Sequence, residues 1–284
     1  MWGSTFLAIR VGVREVPPLL LAGMRFAVAG LVLFGWMVAR GEKLPKRREW
    51  PPILLMALLI FVFDYGLLFW AEQRVPSGIA AVMLATIPVF MALAEIVFLR
   101  TQRMTVRLAV ALLVGIGGVA VLISRSLNLG GAAIETTGAV ALVFAALSWA
   151  VASILTRKLP LPASKGISSG AQMLAGGVML LAASAGLGEW RGFRIGAVSG
   201  GAWFALVYLI VLGSIVGFTA YLWLLHHESP TTVGTYAYVN PVVAVLLGYL
   251  VGGEPLGART AVGTLLVLVS VVTITTRKTV KEGR

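Results

Sequence analysis

Residues 1–10 read MWGSTFLAIR, and residues 147–157 read LSWAVASILTR. Both stretches place a tryptophan among small and hydroxyl residues within an apolar segment. Trp2 and Trp149 lie 147 residues apart. The same offset relates Arg25 to Gln172 and Gly30 to Gly177. Further along, the offset grows to between 152 and 154 for the pairs Trp70 and Trp223, Pro76 and Pro230, Pro88 and Pro241, and Arg107 and Arg259. The chain therefore contains two similar halves.

The composition predicts a protein embedded in a membrane. Of the 284 residues, 59% are hydrophobic and 12% charged, and the mean hydropathy is +0.95. Soluble domains carry roughly 25% charged residues. Apolar runs long enough to cross a bilayer recur along the whole chain. We therefore expect an all-α polytopic membrane protein.

Ten spans are predicted, at 1–16, 19–39, 52–71, 78–98, 106–123, 136–155, 167–187, 201–225, 232–252 and 259–276. Proline, glycine and asparagine residues between them support the boundaries. Each half then holds five spans, and an odd number forces the second half to enter the membrane upside down. The prediction is two inverted five-helix repeats, at residues 1–125 and 132–278, followed by a cytoplasmic tail at 279–284. Inverted repeats are typical of transporters that work by alternating access.

The basic residues predict the orientation. With the N-terminus inside, the inner loops and the C-terminal tail hold fifteen lysine and arginine residues, and the outer loops hold seven. Cytoplasmic loops carry the excess of positive charge in membrane proteins. We therefore expect a multi-pass protein of the plasma (inner) membrane with both termini in the cytoplasm.

Several classes of function are disfavoured. The net charge of +12 is explained by the loop lysines and arginines, so we expect no nucleic-acid partner. The chain has no cysteine and only the adjacent pair His226 and His227, so no metal site, cofactor or intramembrane enzyme is expected. No cleavable signal is recognisable. Because the first span is short, we expect that residues precede Met1 in the natural chain, and a shallow first helix is the alternative.

Several stretches resemble the EamA-type branch of the drug/metabolite transporter superfamily. In the first half these are WGSTFLAIRV, LLLAGMRFAVAGLVL and VPSGIAAVMLATIPVFMAL. In the second half they are LSWAVASILTRKL, ESPTTVGTYAYVNPVVAVLLGYLVGGEPL and GTLLVLVSVV. The resemblance implies a fold of five plus five helices, a central cavity formed by both repeats, and export of small metabolites such as amino acids. One position departs from the family, because the acidic residue that follows the ninth helix is Glu254 whereas its first-half counterpart is Gln102.

Two charged residues inside predicted spans are candidates for the transport site, because charge in hydrocarbon is costly. Arg25 and Asp64 are expected at similar depth on consecutive helices. We hypothesise that they form an ion pair, or share a wet pocket that accepts an amino-acid zwitterion. Snorkelling of Arg25 to the outer headgroups and a structural hydrogen bond of Asp64 are the alternatives. Proton coupling through Asp64 stays open.

Aromatic and hydroxyl side chains complete the predicted substrate site. Trp149 and Ser153 share one face of the sixth span at i and i+4, and Trp2 and Thr5 occupy the equivalent region of the first span. The other candidates are Tyr65, Met83, Thr86, Tyr236 and Asn240. Together they predict a mostly apolar cavity with a few hydrogen-bonding groups. For each aromatic, helix packing or an interfacial position is the alternative.

The sequence leaves several functions open. The leading hypothesis is a secondary exporter of small amphipathic metabolites, with amino acids, aromatic ones included, as the favoured class. A multidrug or nucleotide-sugar carrier of the same fold and a non-transporting bundle are the alternatives. The expected partners are a small-molecule substrate, the lipid bilayer and, if transport is coupled, a proton. The sequence does not set the oligomeric state, and a monomer is the simplest case. Gly115, Gly117 and Gly118 indicate close helix packing.

Overall fold

In the computed structural model, residues 1–97, 104–123, 135–156, 158–220 and 236–276 are described, and these residues contain helices and no strand. The helices are α1 Trp2–Gly12, α2 Pro18–Ala39, α3 Arg47–Ala71, α4 Ser77–Leu84, α5 Ile87–Val97, α6 Val106–Ile123, α7 Thr136–Thr156, α8 Lys165–Gly186, α9 Gly200–Ala220, α10 Tyr236–Leu250 and α11 Ala258–Thr275. A short 3₁₀ turn at Ile195–Ala197 precedes α9.

Six of these helices are long and apolar enough to cross a membrane, namely α2, α3, α6, α7, α8 and α9. Shorter apolar helices lie within α4 and α5, α10 and α11. Each of the ten predicted spans contains a described helix, and α4 and α5 together occupy the fourth. The all-helical membrane class is therefore confirmed over the described residues, whereas ten crossings in two inverted repeats stay a prediction.

Prolines lie at a helix start, at a helix interruption and within a helix. Pro18 opens α2, where its missing N–H costs nothing. The fourth predicted span is broken at Ala85–Thr86, just before Pro88, so that α4 and α5 are separate helices. Pro241 instead lies inside α10.

Two π-helical segments were not predicted from the sequence. They cover Ala57–Tyr65 in α3 and Leu209–Val216 in α9, and they begin 152 residues apart. A π-helical insertion leaves main-chain groups that need other partners. In α3 the Leu59 carbonyl accepts from Ser148 Oγ at 2.8 Å, and in α9 the Gly213 carbonyl accepts from Trp2 Nε1 at 3.0 Å. In each case, therefore, the first helix of one half supports the third helix of the other.

Glycines bring α2 and α8 into main-chain contact. A Cβ placed on Gly30 would lie 2.3 Å from the nitrogen of Leu174, and one on Gly177 would lie 2.2 Å from that of Ala27. These contacts are reciprocal, because Gly177 is Gly30 plus 147 and Leu174 is Ala27 plus 147. The pairs Gly23 with Leu181 and Gly170 with Phe34 repeat the same exchange. Such isologous contacts are typical of a two-fold relation.

The packing of α6 against α11 follows the same rule with an offset of 152 residues. A Cβ on Gly118 would lie 2.9 Å from the nitrogen of Val267, and one on Gly115 would lie 2.5 Å from Ser270 Oγ. The predicted close packing is thus found for these two glycines. It is wrong for Gly117, because a Cβ on Gly117 would point away from α11 and meet no atom of another element within 4 Å.

Three carboxylates cap helices of the other half at one end of the bundle, which we call the capped face. Glu254 accepts from the Ser77 nitrogen at 2.7 Å, the Ser77 hydroxyl at 2.8 Å and the Gly78 nitrogen at 3.1 Å, at the start of α4. Glu189 accepts from the Leu20 nitrogen at 3.0 Å, at the start of α2. Carboxylates are favoured at these positions because helix N-termini carry free N–H groups and partial positive charge.

The third of these carboxylates is that of Glu15, which follows α1. It accepts from the Ser199 nitrogen at 2.6 Å and the Ser199 hydroxyl at 2.7 Å, at the start of α9. The hydroxyl bond and then the main-chain bond lower the pKa of Glu15 below its ordinary value of 4.5. The contact is therefore complete above that value and is lost as the pH falls through the lowered pKa.

Candidate functional site

Arg25 lies on α2 between the two halves of the molecule. Its side chain is only 1% exposed, and its Nε donates to Ser214 Oγ in the π-helical segment of α9 at 3.0 Å. The buried NH1 nitrogen has no hydrogen-bond partner among the described residues. The competing interpretation, in which Arg25 snorkels to the headgroups, does not match this position.

Aromatic rings surround the guanidinium group. Its Cζ lies 4.6 Å from the ring centroid of Phe26, 5.3 Å from that of Tyr65 and 5.9 Å from that of Phe69. Cation–π contacts of this kind partly replace the water that a buried cation loses. Tyr65 in turn lies edge-on to Trp149 on α7, with centroids 6.1 Å apart. Predicted residues from α2, α3 and α7 are thereby brought together.

Two further predicted residues reach the same cluster from α1. Trp2 donates to the Gly213 carbonyl, and Thr5 donates to the Trp2 carbonyl at 2.7 Å. A Cβ on Gly213 would lie 3.0 Å from Thr5 Cγ2 and 3.1 Å from Arg25 NH2. Because Gly213 has no side chain, α1 and α2 can pack closely against α9 at this position.

The structure does not contain the hypothesised ion pair between Arg25 and Asp64. Arg25 is hydrogen-bonded to Ser214, and Asp64 Oδ1 is buried without a hydrogen-bond partner in the described part of the chain. The prediction of similar depth assumes straight α-helices. The π-helical segment that contains Asp64 changes the direction of its side chain, so similar depth did not bring the two groups into contact.

The remaining predicted residues are placed less directly. Ser153 and Thr86 donate to carbonyls of their own chain segments, those of Trp149 and Met83, at 2.8 and 2.6 Å. Met83 and Thr86 are buried in the core. Asn240 lies on α10, where its main chain faces Gly3 of α1. The Tyr236 side chain lies outside the described part of the structure, as do Gln102, His226 and His227.

Sequence reasoning missed Ser214 and Glu72. Ser214 was overlooked because a serine in an apolar span is common, and Glu72 was overlooked because it follows the end of a predicted span. Glu72 is fully buried, and neither carboxyl oxygen has a hydrogen-bond partner among the described residues. The signal available in the sequence was the acidic residue directly after FWA.

The arrangement offers a buried positive charge, enclosed by aromatic rings, whose NH1 nitrogen has no hydrogen-bond partner among the described residues. Such a site can hold the carboxylate of a small ligand, whose apolar part would contact the rings. Among the described residues, no group of three histidine, aspartate or glutamate side chains could hold a metal ion.

The EamA-like transporter family matches this chain over residues 1–124 and 136–276. The chain belongs to the EamA-like transporter family. This confirms the resemblance noted in the sequence.

Several relatives of this EamA-like chain align over nearly its full length. It is 39% identical over 279 residues to the uncharacterized inner membrane transporter YedA of Escherichia coli K12, an alignment that covers 96% of this chain and 87% of the relative. It is 26% identical to the uncharacterized transporter YvbV of Bacillus subtilis, with coverage of 100% and 90%. A solved crystal structure with 22% identity has a TM-score of 0.63 and covers 96% of this chain and 91% of its own, which supports the fold alone.

Proposed function

We propose that this EamA-family membrane transporter is a secondary carrier that exports small amphipathic metabolites, amino acids above all, by alternating access. The family and the names of its relatives support membrane transport. The substrate class is our inference from the site, and the direction of export is taken from the family resemblance.

The observation that carries the proposal is the position of Arg25. It is a buried cation on a helix of the first half, hydrogen-bonded to a helix of the second half, and its NH1 nitrogen has no hydrogen-bond partner among the described residues. A cation removed from water needs an anionic or strongly polar partner. An amino-acid carboxylate would supply it, and the rings of Phe26, Tyr65 and Trp149 would favour an apolar or aromatic side chain.

Two inverted repeats would give this site access to both sides in turn. The reciprocal contacts of α2 with α8 and of α6 with α11 support a two-fold relation between the halves. The two stretches matched by the family, 1–124 and 136–276, agree with repeats at 1–125 and 132–278. Five spans per half would make the relation an inversion.

The capped face supports a conformation closed at one end. Glu15, Glu189 and Glu254 tie loops of one half to helices of the other there. The mirror position of Glu189 is Glu42, which is exposed at the other end, and α8 begins with its own cap, Ser164. The two ends of the bundle therefore differ in their contacts between the halves. In alternating access, each conformation is closed at one end and open at the other.

We place the protein in the plasma (inner) membrane, with both termini in the cytoplasm. The name of the relative YedA supports the membrane, and the distribution of basic residues supports the orientation. The capped face would then be the outer face.

The proposal is tested with purified protein in liposomes. We expect at least one labelled amino acid from a panel that includes tryptophan, phenylalanine and leucine to move, and tryptamine, which lacks the carboxylate, to compete poorly. Arg25→Gln should weaken binding of the amino acid at least about tenfold, because charge-assisted hydrogen bonds contribute about 1.5–3 kcal/mol. It should leave tryptamine competition unchanged.

The same assay separates the alternatives. Movement of a cationic dye or a nucleotide sugar, with no movement of any amino acid, would replace the amino-acid assignment by a multidrug or nucleotide-sugar carrier. If Arg25→Gln weakened the binding of tryptophan and of tryptamine equally, Arg25 would not be the residue that binds the carboxylate. Proton coupling through Asp64 is part of the proposal and is measured by adding a pH gradient.

A further inference from the structure

Glu72 lies at the capped face, but its carboxyl group caps no helix, unlike those of Glu15, Glu189 and Glu254. It follows the last residue of α3, is 0% exposed, and leaves both carboxyl oxygens without a hydrogen-bond partner in the described part of the chain. Its main-chain carbonyl accepts from the Arg10 guanidinium. The Glu72 side chain is therefore buried beside Arg10.

The charged groups that act on Glu72 come from three other elements. They are Arg10 on α1, Arg25 on α2, and Glu254, which precedes α11. Arg25 acts on both Glu72 and Tyr65. Glu72 therefore interacts electrostatically with Glu254, which binds Ser77 at the capped face, and with Arg25 in the proposed substrate site.

These surroundings have opposing effects on the protonation of the Glu72 carboxyl group. An ionised carboxylate that is buried without hydrogen bonds is costly, so burial favours the protonated form. Burial raises the pKa of Glu72, which lies just outside the α3 span, well above 4.5, and Glu254 raises it further, whereas Arg10 and Arg25 lower it. The group can therefore change its protonation state when one of these neighbours changes.

We infer that Glu72 is a proton-binding site of the transport cycle and that its proton is linked to the substrate carboxylate through the charge of Arg25. This linkage rests on the proposed function. A carboxylate bound to Arg25 cancels the positive charge that stabilises ionised Glu72, so Glu72 takes up a proton. By reciprocity, a proton on Glu72 strengthens the binding of the anion to Arg25 by the same factor. The relation concerns binding and holds for either direction of transport.

Access to this proton is expected to depend on the capped face. While Glu254 caps α4, Glu72 is shielded from water. When that face opens, water reaches Glu72, the cost of the ionised form falls, and the proton can leave.

The first experiment needs no substrate. Infrared spectra of the purified protein are recorded over a series of pH values, for the unmodified chain and for Glu72→Gln. Glutamine has nearly the shape of protonated glutamate, so the variant should fold, which thermal unfolding checks. We expect Glu72→Gln to remove a carboxylic-acid C=O band that persists above pH 4.5, the ordinary pKa of a glutamate side chain. Glu189→Gln, a control at a hydrogen-bonded carboxylate, should not remove it. A band unchanged by Glu72→Gln would overturn the inference.

The second experiment tests the linkage with the amino acid that moves in liposomes. Its affinity should rise as the pH falls, by up to about tenfold per pH unit for one linked proton. In Glu72→Gln the affinity should equal that of the unmodified chain at low pH, because glutamine resembles protonated glutamate. It should change less than about twofold over the same pH series. A pH dependence that persists in Glu72→Gln would overturn the linkage. If no amino acid moves, the proposed substrate fails, and the infrared result still decides whether Glu72 binds a proton.

Discussion

At Gly30 and Gly177 the main chains of the two halves are in contact, so the effect of a single added methyl group can be predicted at each position. A Cβ at either position would lie within 2.3 Å of a main-chain nitrogen, which cannot move aside as a side chain can. Gly35 lies on the same helix as Gly30 with nothing within 4 Å, so it provides a matched control.

We expect Gly30→Ala and Gly177→Ala to destabilise the protein equally, each by about 1–3 kcal/mol, because the helices must separate. Gly35→Ala should be neutral or stabilising by up to about 1 kcal/mol, since alanine favours helix. Thermal unfolding in detergent measures all three. Unequal effects of Gly30→Ala and Gly177→Ala would argue against the two-fold relation between the halves.

At this scale the sequence could single out residues that lie together, but it could not predict what they contact. Trp2, Thr5, Arg25, Tyr65 and Trp149 were all selected from polarity or aromatic character within apolar spans, and the structure brings them together. The partner of Arg25 could not be predicted, because Asp64 and Ser214 lie in π-helical segments. Periodicity of 3.6 residues per turn assigns side chains in such segments to the wrong direction.

At the scale of elements, the helix boundaries followed from prolines and glycines, whereas the contacts between helix ends did not. Glu15, Glu189 and Glu254 are loop residues in the sequence, and nothing local distinguishes a capping carboxylate from a solvated one. Their targets Ser199, Leu20 and Ser77 lie 184, 169 and 177 residues away. Only the tertiary structure shows that these glutamates join the two halves at a single end.

The Glu254 contact makes a prediction about the opening of that end. The chain has no cysteine, so Ile79→Cys gives a single reporter at a side chain that is 2% exposed and lies near Glu254. In this background, Glu254→Ala should raise the labelling rate with a maleimide at least about tenfold. The loss of a charge-assisted hydrogen bond, about 1.5–3 kcal/mol, shifts the equilibrium towards the open face.

The control for this prediction is Glu42→Ala in the same reporter background. Glu42 is exposed at the opposite end of α2, so its removal should leave the labelling rate unchanged. Equal acceleration by both substitutions would indicate general loosening of the bundle. No acceleration by Glu254→Ala would show that Glu254 does not hold the face closed.

At the scale of the whole molecule, the reciprocal contacts describe a two-fold relation between the halves but do not say how its axis lies in the bilayer. That depends on the number of crossings in each half. Of the described helices, six meet the length and hydropathy expected of a span, while α1 covers only 11 residues. Because α1 precedes α2, it sets only the side of the N-terminus. Whether the interrupted α4 and α5 together cross the bilayer decides whether α8 runs opposite to α2.

Single cysteines in the loops answer this question in intact cells treated with an impermeant maleimide. If each half crosses five times, Glu42→Cys after α2 and Lys158→Cys after α7 lie on the inner side and stay unlabelled. Arg191→Cys and Leu256→Cys, on the capped face, are labelled from outside. All four residues are exposed, so a difference reports sidedness rather than burial. If the halves instead had the same orientation, α7 would start inside, as α1 does, and Lys158 after α7 would lie outside. Lys158→Cys would then be labelled, whereas Glu42→Cys would not. That result would leave the contacts of Arg25 intact but would remove the inversion by which one site could face both sides of the membrane.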